Sequence, residues 1–185
     1  MPKPKSKAPK KSTRKKQAPD PPGCHAGLPH VPADYGLKPR KHYLPFAHAE
    51  TRLTKSRNYW ICTARPDGRP HSSPVWGFWI DGALYFGTGR ASRKARNLAH
   101  NAAVSIHLDS GDDVVILEGT VTEVDLADAA MIKKLDAASR TKYKMPLMTT
   151  PEVVLYSVRP RVVLAWTEKD FPYNATRWQF DTASA

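Results

Sequence analysis

The chain has 185 residues, and its 29 Lys and Arg against 17 Asp and Glu give a formal net charge of +12. This length allows one domain with a substantial core. No apolar run approaches the roughly 20 residues of a membrane helix, and the basic N-terminus is not followed by the apolar stretch of a secretory signal. These features exclude a membrane-spanning helix and favour a cytoplasmic protein without a membrane partner.

The positive charge is concentrated at the N-terminus. Residues 1–20 contain eight lysines and arginines against a single acidic residue, Asp20. Residues 1–40 are also poor in large apolar side chains, so they cannot bury enough surface to offset their ordering entropy. We predict a disordered basic tail over 1–40 and one folded domain over 41–185. The tail either keeps the protein in solution or contacts nucleic acid or another polyanion non-specifically.

The first half of the domain predicts a helix followed by an antiparallel meander. Phe46, Ala49 and Leu53 recur at helical spacing, which predicts an amphipathic helix over 45–57. Strand patterns follow over 59–64, 70–80 and 83–86. Asp81-Gly82 is a two-residue hairpin signal between the last two of these strands.

The second half predicts further strands with two helices between them. Ser92 is placed to cap a short helix over 92–101. The remaining predicted elements are strands over 103–108 and 114–124, a helix over 126–144, and strands over 153–158 and 162–167 separated by Arg159-Pro160-Arg161. Hairpin-connected strands with few helices indicate a mainly β protein, a small antiparallel β-barrel with peripheral helices.

The sequence GTGRASRKARN, residues 87–97, combines a Gly-rich stretch with a helix start. Cations occupy the first turns, where acidic side chains are normally preferred: Arg90, Arg93, Lys94 and Arg96. Exposed backbone N–H groups, the helix dipole and the Thr88 and Ser92 hydroxyls would suit a phosphate. A solvated basic helix face is the alternative. Ser92 replaces the third glycine of a dinucleotide fingerprint, so a Rossmann site is disfavoured.

The strand HSSPVWGFW carries aromatic side chains on both faces. Trp76 and Phe78 share one face, whereas Trp79 lies on the other, and Pro74 indicates an edge or a bulge. This pattern fits a sheet that covers a flat ring or another subunit, and it equally fits ordinary core packing. No metal-ligand spacing and no catalytic triad is evident, so no metal site is expected and no catalytic side chain is assigned.

Several motifs, in order, resemble those of the split β-barrel oxidoreductases related to pyridoxamine 5′-phosphate oxidase: RPDGRPH, PVWG, DGALYF, SRKARNL and EGT. The resemblance covers about residues 40–180. It implies a six-stranded antiparallel split barrel of the FMN-binding type. It also implies a homodimer whose cofactor, FMN or the deazaflavin coenzyme F420, lies in a groove at the dimer interface.

The resemblance also implies cofactor-binding residues. The strand that runs along the cofactor ring would contribute Ser73, Pro74, Val75 and Trp76. The phosphate would be held by Thr88, Ser92, Arg93, Lys94 and Asn97, with Lys94 the best-matched charged contact. Arg177 and Trp178, in the motif ATRWQF, would lie near the partner subunit's site.

The resemblance favours a reductase that transfers hydride between the bound cofactor and a small organic substrate. Oxidases of pyridoxamine phosphate end in basic substrate-binding residues, whereas no basic residue follows Arg177 in the printed sequence. Of the two cofactors, F420 is slightly favoured. Two other functions remain open: a polyanion-binding protein that acts through its tail, and a non-catalytic carrier of a cofactor or haem on the same fold.

Overall fold

The computed structural model describes residues 19–40 and 42–181. The strands are Cys24–Gly27 (β1), Asn58–Ala64 (β2), Pro70–Ile80 (β3), Ala83–Gly89 (β4), Ala103–His107 (β5), Asp113–Glu123 (β6), Val153–Thr167 (β7) and Thr176–Phe180 (β8). The α-helices are Phe46–Lys55 (α1), Arg93–His100 (α2) and Ala129–Tyr143 (α3). None of the described helices is both long and apolar enough to span a bilayer.

Six of the strands close into an antiparallel barrel. They follow the order β7-β4-β3-β2-β5-β6, and β6 pairs back with β7. The 15-residue β7 pairs with β4 through its first half and with β8 through its second half, and β8 carries β1 on its far edge. This topology confirms the predicted six-stranded antiparallel barrel with peripheral helices.

The barrel is filled by alternate side chains of its strands. Tyr59 and Ile61 of β2 are completely buried, as is Trp178 of β8. Helix α1 adds Phe46, whose ring packs edge-on against the Trp178 ring at 5.6 Å between centroids. Burying aromatic side chains in this way removes a large apolar area from water, which is the main stabilising contribution of such a core.

A second, smaller apolar cluster lies on the outside of the barrel. Phe78 of β3, Tyr85 of β4 and Leu155 of β7 point outward and pack against Leu135 and Tyr143 of α3. Trp79 instead packs in the barrel core. The predicted division of the β3 aromatics between two faces is therefore confirmed, and α3 covers only one side of the barrel.

The prediction of two strands separated by Arg159-Pro160-Arg161 is wrong, because β7 runs through this segment without a break. The register with β6 shifts between Glu118 and Gly119, so Arg161 has no paired residue opposite it. A β-bulge of this kind accommodates a proline inside a strand. Gly119 is required opposite the bulge, because a Cβ there would lie 2.8 Å from the Arg159 carbonyl oxygen.

Two further boundaries differ from the prediction. Strand β4 extends through Gly89, since Gly87–Gly89 pairs with Val153–Leu155 of β7. Helix α3 begins at Ala129 rather than 126, because the Asp128 side chain caps it by accepting a hydrogen bond from the Met131 N–H at 3.0 Å. The Gly-rich segment is therefore the end of a strand that leads directly into α2.

The prediction of disorder over residues 1–40 is wrong for Cys24–Gly27, which forms β1 and pairs with β8. Asp20 is also ordered, and its Oδ1 accepts a hydrogen bond from the Phe46 N–H at the start of α1, at 2.7 Å. These partners lie far along the chain, so local composition does not reveal them. Residues 1–18 of the predicted basic tail lie outside the described residues.

Candidate cofactor-binding site

The start of α2 is built at the end of β4. Ser92 caps the helix as predicted, because its Oγ accepts a hydrogen bond from the Ala95 N–H at 3.2 Å. The Arg90 N–H donates to the Glu152 carbonyl oxygen at 2.7 Å and fixes the turn against β7. Gly87 lets these segments approach closely, since a Cβ there would lie 3.0 Å from a methyl group of Leu155. The helix start is therefore held firmly against the barrel.

Three polar side chains converge at this helix start. Thr88 Oγ1 lies 3.2 Å from Ser92 Oγ, and Lys94 Nζ donates to Thr88 Oγ1 at 3.3 Å. The N–H groups of Arg93 and Lys94 belong to the first turn, so the helix itself offers them no acceptor. The positive end of the helix dipole lies at the same place. We call this group of Thr88, Ser92, Lys94 and the first-turn N–H groups the cradle.

The cradle carries an excess of positive charge. Of the four cations in the segment, Arg90 forms a long ion pair with Glu123, at 3.4 Å. Arg96 donates to the Ala91 carbonyl oxygen at 2.7 Å. Within residues 19–40 and 42–181, neither Arg93, Lys94 nor Arg96 forms an ion pair with a carboxylate. Such an arrangement is suited to an anion with several acceptor oxygens.

Asn97 occupies a different position from the rest of the predicted phosphate-binding set. Its side chain is completely buried, and its Nδ2 donates to Thr63 Oγ1 of β2 at 2.9 Å. In this arrangement Asn97 anchors α2 to the barrel. Its contact with a cofactor stays a prediction.

The four predicted residues of β3 divide between the two faces of the sheet. Val75 belongs to the barrel core, and the Ser73 hydroxyl is buried without a hydrogen-bond partner in the described part of the chain. Pro74 is exposed, and Trp76 points outward with 45% of its surface accessible. Of the four side chains, only those of Pro74 and Trp76 are thus open to contact from outside the barrel.

Trp76 forms one wall of a cleft of about 380 Å³ between β3, β4, β7 and the end of α3. Its ring stacks on Tyr143 with the centroids 4.5 Å apart and the planes 7° from parallel. The cleft reaches the cradle, because Thr88 belongs to both. The cleft is lined by Trp76, Phe78, Gly87, Thr88, Gly89, Ser139, Tyr143, Met145, Pro146, Leu147, Met148, Val153 and Leu155.

The end of α3 is fastened to β3 at Gly77, one residue beyond the pairing of β3 with β2. The Gly77 N–H donates to the Tyr143 hydroxyl at 2.8 Å, and that hydroxyl donates to the Arg57 carbonyl oxygen at 2.6 Å. Lys142 Nζ donates to the Gly77 carbonyl oxygen at 2.9 Å and to the Tyr59 hydroxyl at 3.0 Å. We call this arrangement the α3 anchor.

Both groups that α3 supplies to the anchor have shifted pKa values. Partial burial, followed by the charge of Arg57, lowers the pKa of Lys142 to about 8. Burial raises the pKa of the Tyr143 hydroxyl. The Arg57 guanidinium lies 5.4 Å from the centroid of the Trp76 ring and 5.3 Å from that of Tyr143. These cations have oxygen and aromatic partners within the chain, but the lowered pKa of Lys142 means that its partners do not fully offset its burial.

The α3 side of this cleft was not among the predicted site residues. Tyr143 and the segment Met145-Pro146-Leu147-Met148 supply that wall. The available signal was an apolar segment directly after a helix, with Met145 46% and Met148 58% exposed in the fold. Exposed apolar residues grouped in this way often mark a binding surface.

The structure does not bring Arg177 and Trp178 to the cradle within one chain. Trp178 is completely buried in the barrel core. Arg177 lines a separate cavity of about 470 Å³, where its Nη1 lies 3.0 Å from His30 Nε2. Their placement near a partner subunit's site stays a prediction.

Solved structures with the same fold include a conserved hypothetical protein from Mycobacterium tuberculosis, at 22% identity and a TM-score of 0.60, over 80% of this chain and 97% of that one. The heme binding protein from Mycobacterium smegmatis matches at 20% identity and a TM-score of 0.57, over 75% and 60%. An F420 reductase matches at 27% identity and a TM-score of 0.49, over 62% and 94%. A search of curated proteins found no match.

The family comparison covers most of the barrel. The model of the family described as pyridoxamine 5′-phosphate oxidase matches residues 46–166, which is more than half of the chain. The matched region runs from α1 through β7 and includes the cradle, the outward face of β3 and the cleft. The chain therefore belongs to the pyridoxamine 5′-phosphate oxidase family.

Proposed function

We propose that this protein is a homodimeric oxidoreductase that binds FMN or F420 and transfers hydride between that cofactor and a small organic substrate. The observation that carries the proposal is the cradle. Converging hydroxyls, a lysine and free first-turn N–H groups meet at a helix start where three cations form no ion pair among the described residues. A phosphate-bearing cofactor would supply the missing negative charge.

The donor set of the cradle fits such a phosphate. Thr88 and Lys94 can each donate to a phosphate oxygen, and the N–H groups of Arg93 and Lys94 can do the same. Ser92 already caps the helix, so it orients the first turn as well as offering its own hydroxyl. Arg93 is exposed beside the group and adds positive charge.

Besides binding the phosphate, the chain would position the cofactor ring and shield it from water. Trp76 and Pro74 offer an apolar surface on the outward face of β3, and the cleft beside Trp76 gives room for a second molecule. The flavin or deazaflavin ring supplies the hydride chemistry when it is bound. No side chain of this chain is then required as an acid or a base.

Titration of the purified full-length protein with FMN, F420 and haem tests this proposal, with absorbance and fluorescence as the readouts. We expect saturable binding of FMN or F420 at one site per subunit. Binding of neither would overturn the proposed function. Binding of haem alone would favour the carrier function, and sedimentation of the loaded protein as a monomer would overturn the dimer.

A further inference from the structure

The cavity at Arg177 lies on the outer face of β6, β7 and β8 and shares no lining residue with the cleft or the cradle. Its floor is formed by Val162 and Leu164 of β7, which point outward, whereas Val163 between them points into the barrel and is completely buried. The volume of about 470 Å³ is within the usual range for small-molecule sites. The fold therefore contains a second concave surface of ligand size.

The walls of this cavity come from the two ends of the folded domain. The segment Pro29–Val31 follows β1 on one side, and Trp166 and Phe171 lie near the end of β7 on the other, with their rings 5.7 Å apart between centroids. Pro29–Val31, Phe171 and Arg177 all lie outside residues 46–166, the part shared with the family. Most of the cavity is therefore built by segments particular to this chain.

Arg177 is incompletely paired in this cavity. Its guanidinium donates from Nη1 to His30 Nε2 at 3.0 Å, since an arginine has no acceptor atom. Its Nε is buried without a hydrogen-bond partner, and Arg177 forms no ion pair among residues 19–40 and 42–181. A buried N–H without an acceptor is costly. A carboxylate would correct this, because it can accept from two N–H groups of one guanidinium.

Glu118 brings a negative charge to the same cavity. It lines the cavity from β6, is exposed, and forms no ion pair in the part of the chain that the structure describes. The register sets Glu118 opposite Val162 and Arg177 opposite Leu164. Standard strand spacings then separate the Cα atoms of Glu118 and Arg177 by about 12 Å. The two opposite charges share one space without pairing with each other.

We propose that this cavity binds a small amphoteric molecule with a carboxylate at one end, a protonated amine at the other and a flat apolar part between them. The carboxylate pairs with Arg177 and the amine with Glu118, while the apolar part covers Val162 and Leu164. The carboxylate end contributes more, because Arg177 is half-buried, whereas an ion pair at the exposed Glu118 is weakened by water. This site does not depend on the proposed function.

The proposal is tested with three probes of the same outline. 4-(Aminomethyl)benzoate carries both charges, 4-methylbenzoate only the negative one and 4-methylbenzylamine only the positive one. In a chemical-shift titration of the full chain without cofactor, the doubly charged probe should bind most tightly. Loss of its carboxylate should weaken binding at least about tenfold, and loss of its amine about two- to fivefold. Equal affinities, or no saturable binding up to about 10 mM, would overturn the site.

Two variants assign the charges to their partners. Arg177→Gln should weaken both carboxylate probes at least about tenfold and leave 4-methylbenzylamine unaffected. Glu118→Gln, at an exposed position, should abolish the preference for 4-(aminomethyl)benzoate over 4-methylbenzoate. Arg159→Gln is the matched control, because Arg159 is an exposed arginine of β7 that does not line the cavity. The same losses in Arg159→Gln, or an unchanged preference in Glu118→Gln, would refute the assignment.

A competition experiment separates this cavity from the cofactor site. Saturating FMN or F420 should not displace 4-(aminomethyl)benzoate, because the cavity and the cradle share no residue. Displacement would place Arg177 in the cofactor site and overturn a separate site. A protein that discriminates among the three probes but binds neither FMN nor F420 would refute the proposed function and leave this inference standing.

Discussion

The cradle and the α3 anchor both bring cations close to the outward face of the barrel, and they treat these cations in opposite ways. At the anchor, Lys142 donates to two oxygens and Arg57 lies against two aromatic rings. At the cradle, Lys94 reaches only the Thr88 hydroxyl, at 3.3 Å, and forms no ion pair within the described residues.

This difference indicates that the cations of the anchor stabilise the fold, whereas the cations of the cradle are available to a ligand. Positive charge at a helix N-terminus opposes the helix dipole, so it destabilises the protein until an anion arrives. At the anchor, the chain itself supplies the partners of Lys142 and Arg57, so an anionic ligand is not needed there. We therefore propose that the cradle binds a ligand and that the anchor holds α3 on the barrel, so substitutions in the two regions should affect different measurements.

The largest effect is expected for charge reversal in the cradle. A hydrogen bond to a charged group contributes about 1.5–3 kcal/mol, so Lys94→Ala should weaken cofactor binding roughly ten- to a hundredfold. Lys94→Glu should weaken it further because it repels the phosphate. The melting temperature without cofactor should stay unchanged or rise slightly, since an unfavourable cation has left the helix start.

Lys133→Glu makes the same change in net charge at an exposed position of α3 and serves as the control. It should keep cofactor affinity near that of the natural protein. If Lys94→Glu and Lys133→Glu bind cofactor equally well, the cradle is a solvated helix face and not a phosphate site.

In the anchor, the expected effect falls on stability. Gly77→Ala would place a methyl group 2.8 Å from the Tyr85 carbonyl oxygen and 3.1 Å from the Tyr59 ring. Overpacking of this kind costs about 1–3 kcal/mol, which denaturant unfolding can measure. Gly111→Ala is the matched control, because a Cβ at Gly111 meets no atom within 4 Å. Equal stability of the two variants would contradict the close packing at Gly77.

A smaller effect should appear in the pH dependence of stability. Burial lowers the pKa of Lys142 to about 8 in the folded protein, whereas the pKa of an unfolded lysine is about 10.4. Between these values the unfolded chain binds more protons, so this residue makes the free energy of unfolding rise with pH. Below that window, its charged form destabilises the folded state.

Lys142→Met removes this titration and keeps a long side chain. The stability of the natural protein should therefore improve relative to that of the variant as the pH rises from about 7 to about 10. Urea unfolding of both proteins across this range provides the measurement. A stability difference that does not change with pH would show that the pKa of Lys142 is not lowered in the folded protein.

The basic tail should have the smallest effect on the cradle. A variant that lacks residues 2–18 keeps Asp20, which caps α1, and also keeps β1. Its cofactor affinity and melting temperature should match those of the full chain. Any DNA affinity should fall and lose most of its salt dependence, because counterion release scales with the phosphates neutralised. Undiminished DNA binding would place the polyanion contact elsewhere.

Local patterns in the sequence were sufficient to predict those features that depend only on neighbouring residues. Asp81 and Gly82 adopt positive φ values of 51° and 73°, as a tight hairpin requires. Ser92 caps α2 because its side chain only has to reach three residues along the chain. The hairpins β2–β3, β3–β4 and β5–β6 likewise followed from the turns between their strands, whereas the six-stranded split barrel was expected from the family resemblance.

Long-range pairing could not be predicted in this way. Strand β1 exists only because Cys24 lies opposite Phe180 in β8, and β7 stays continuous through Pro160 only because β6 accommodates a bulge at Gly119. The cleft was missed for the same reason, since Trp76 and Tyr143 meet through the packing of α3 on the barrel.

The most direct test of the cradle as a phosphate site compares cofactors with and without phosphate. FMN and riboflavin differ only in the phosphate, so they form a matched pair. In the natural protein, we predict that the phosphate strengthens binding at least about tenfold, and that Lys94→Glu removes this advantage. Equal affinity for the two forms in the natural protein would contradict the assignment of the α2 start as a phosphate site.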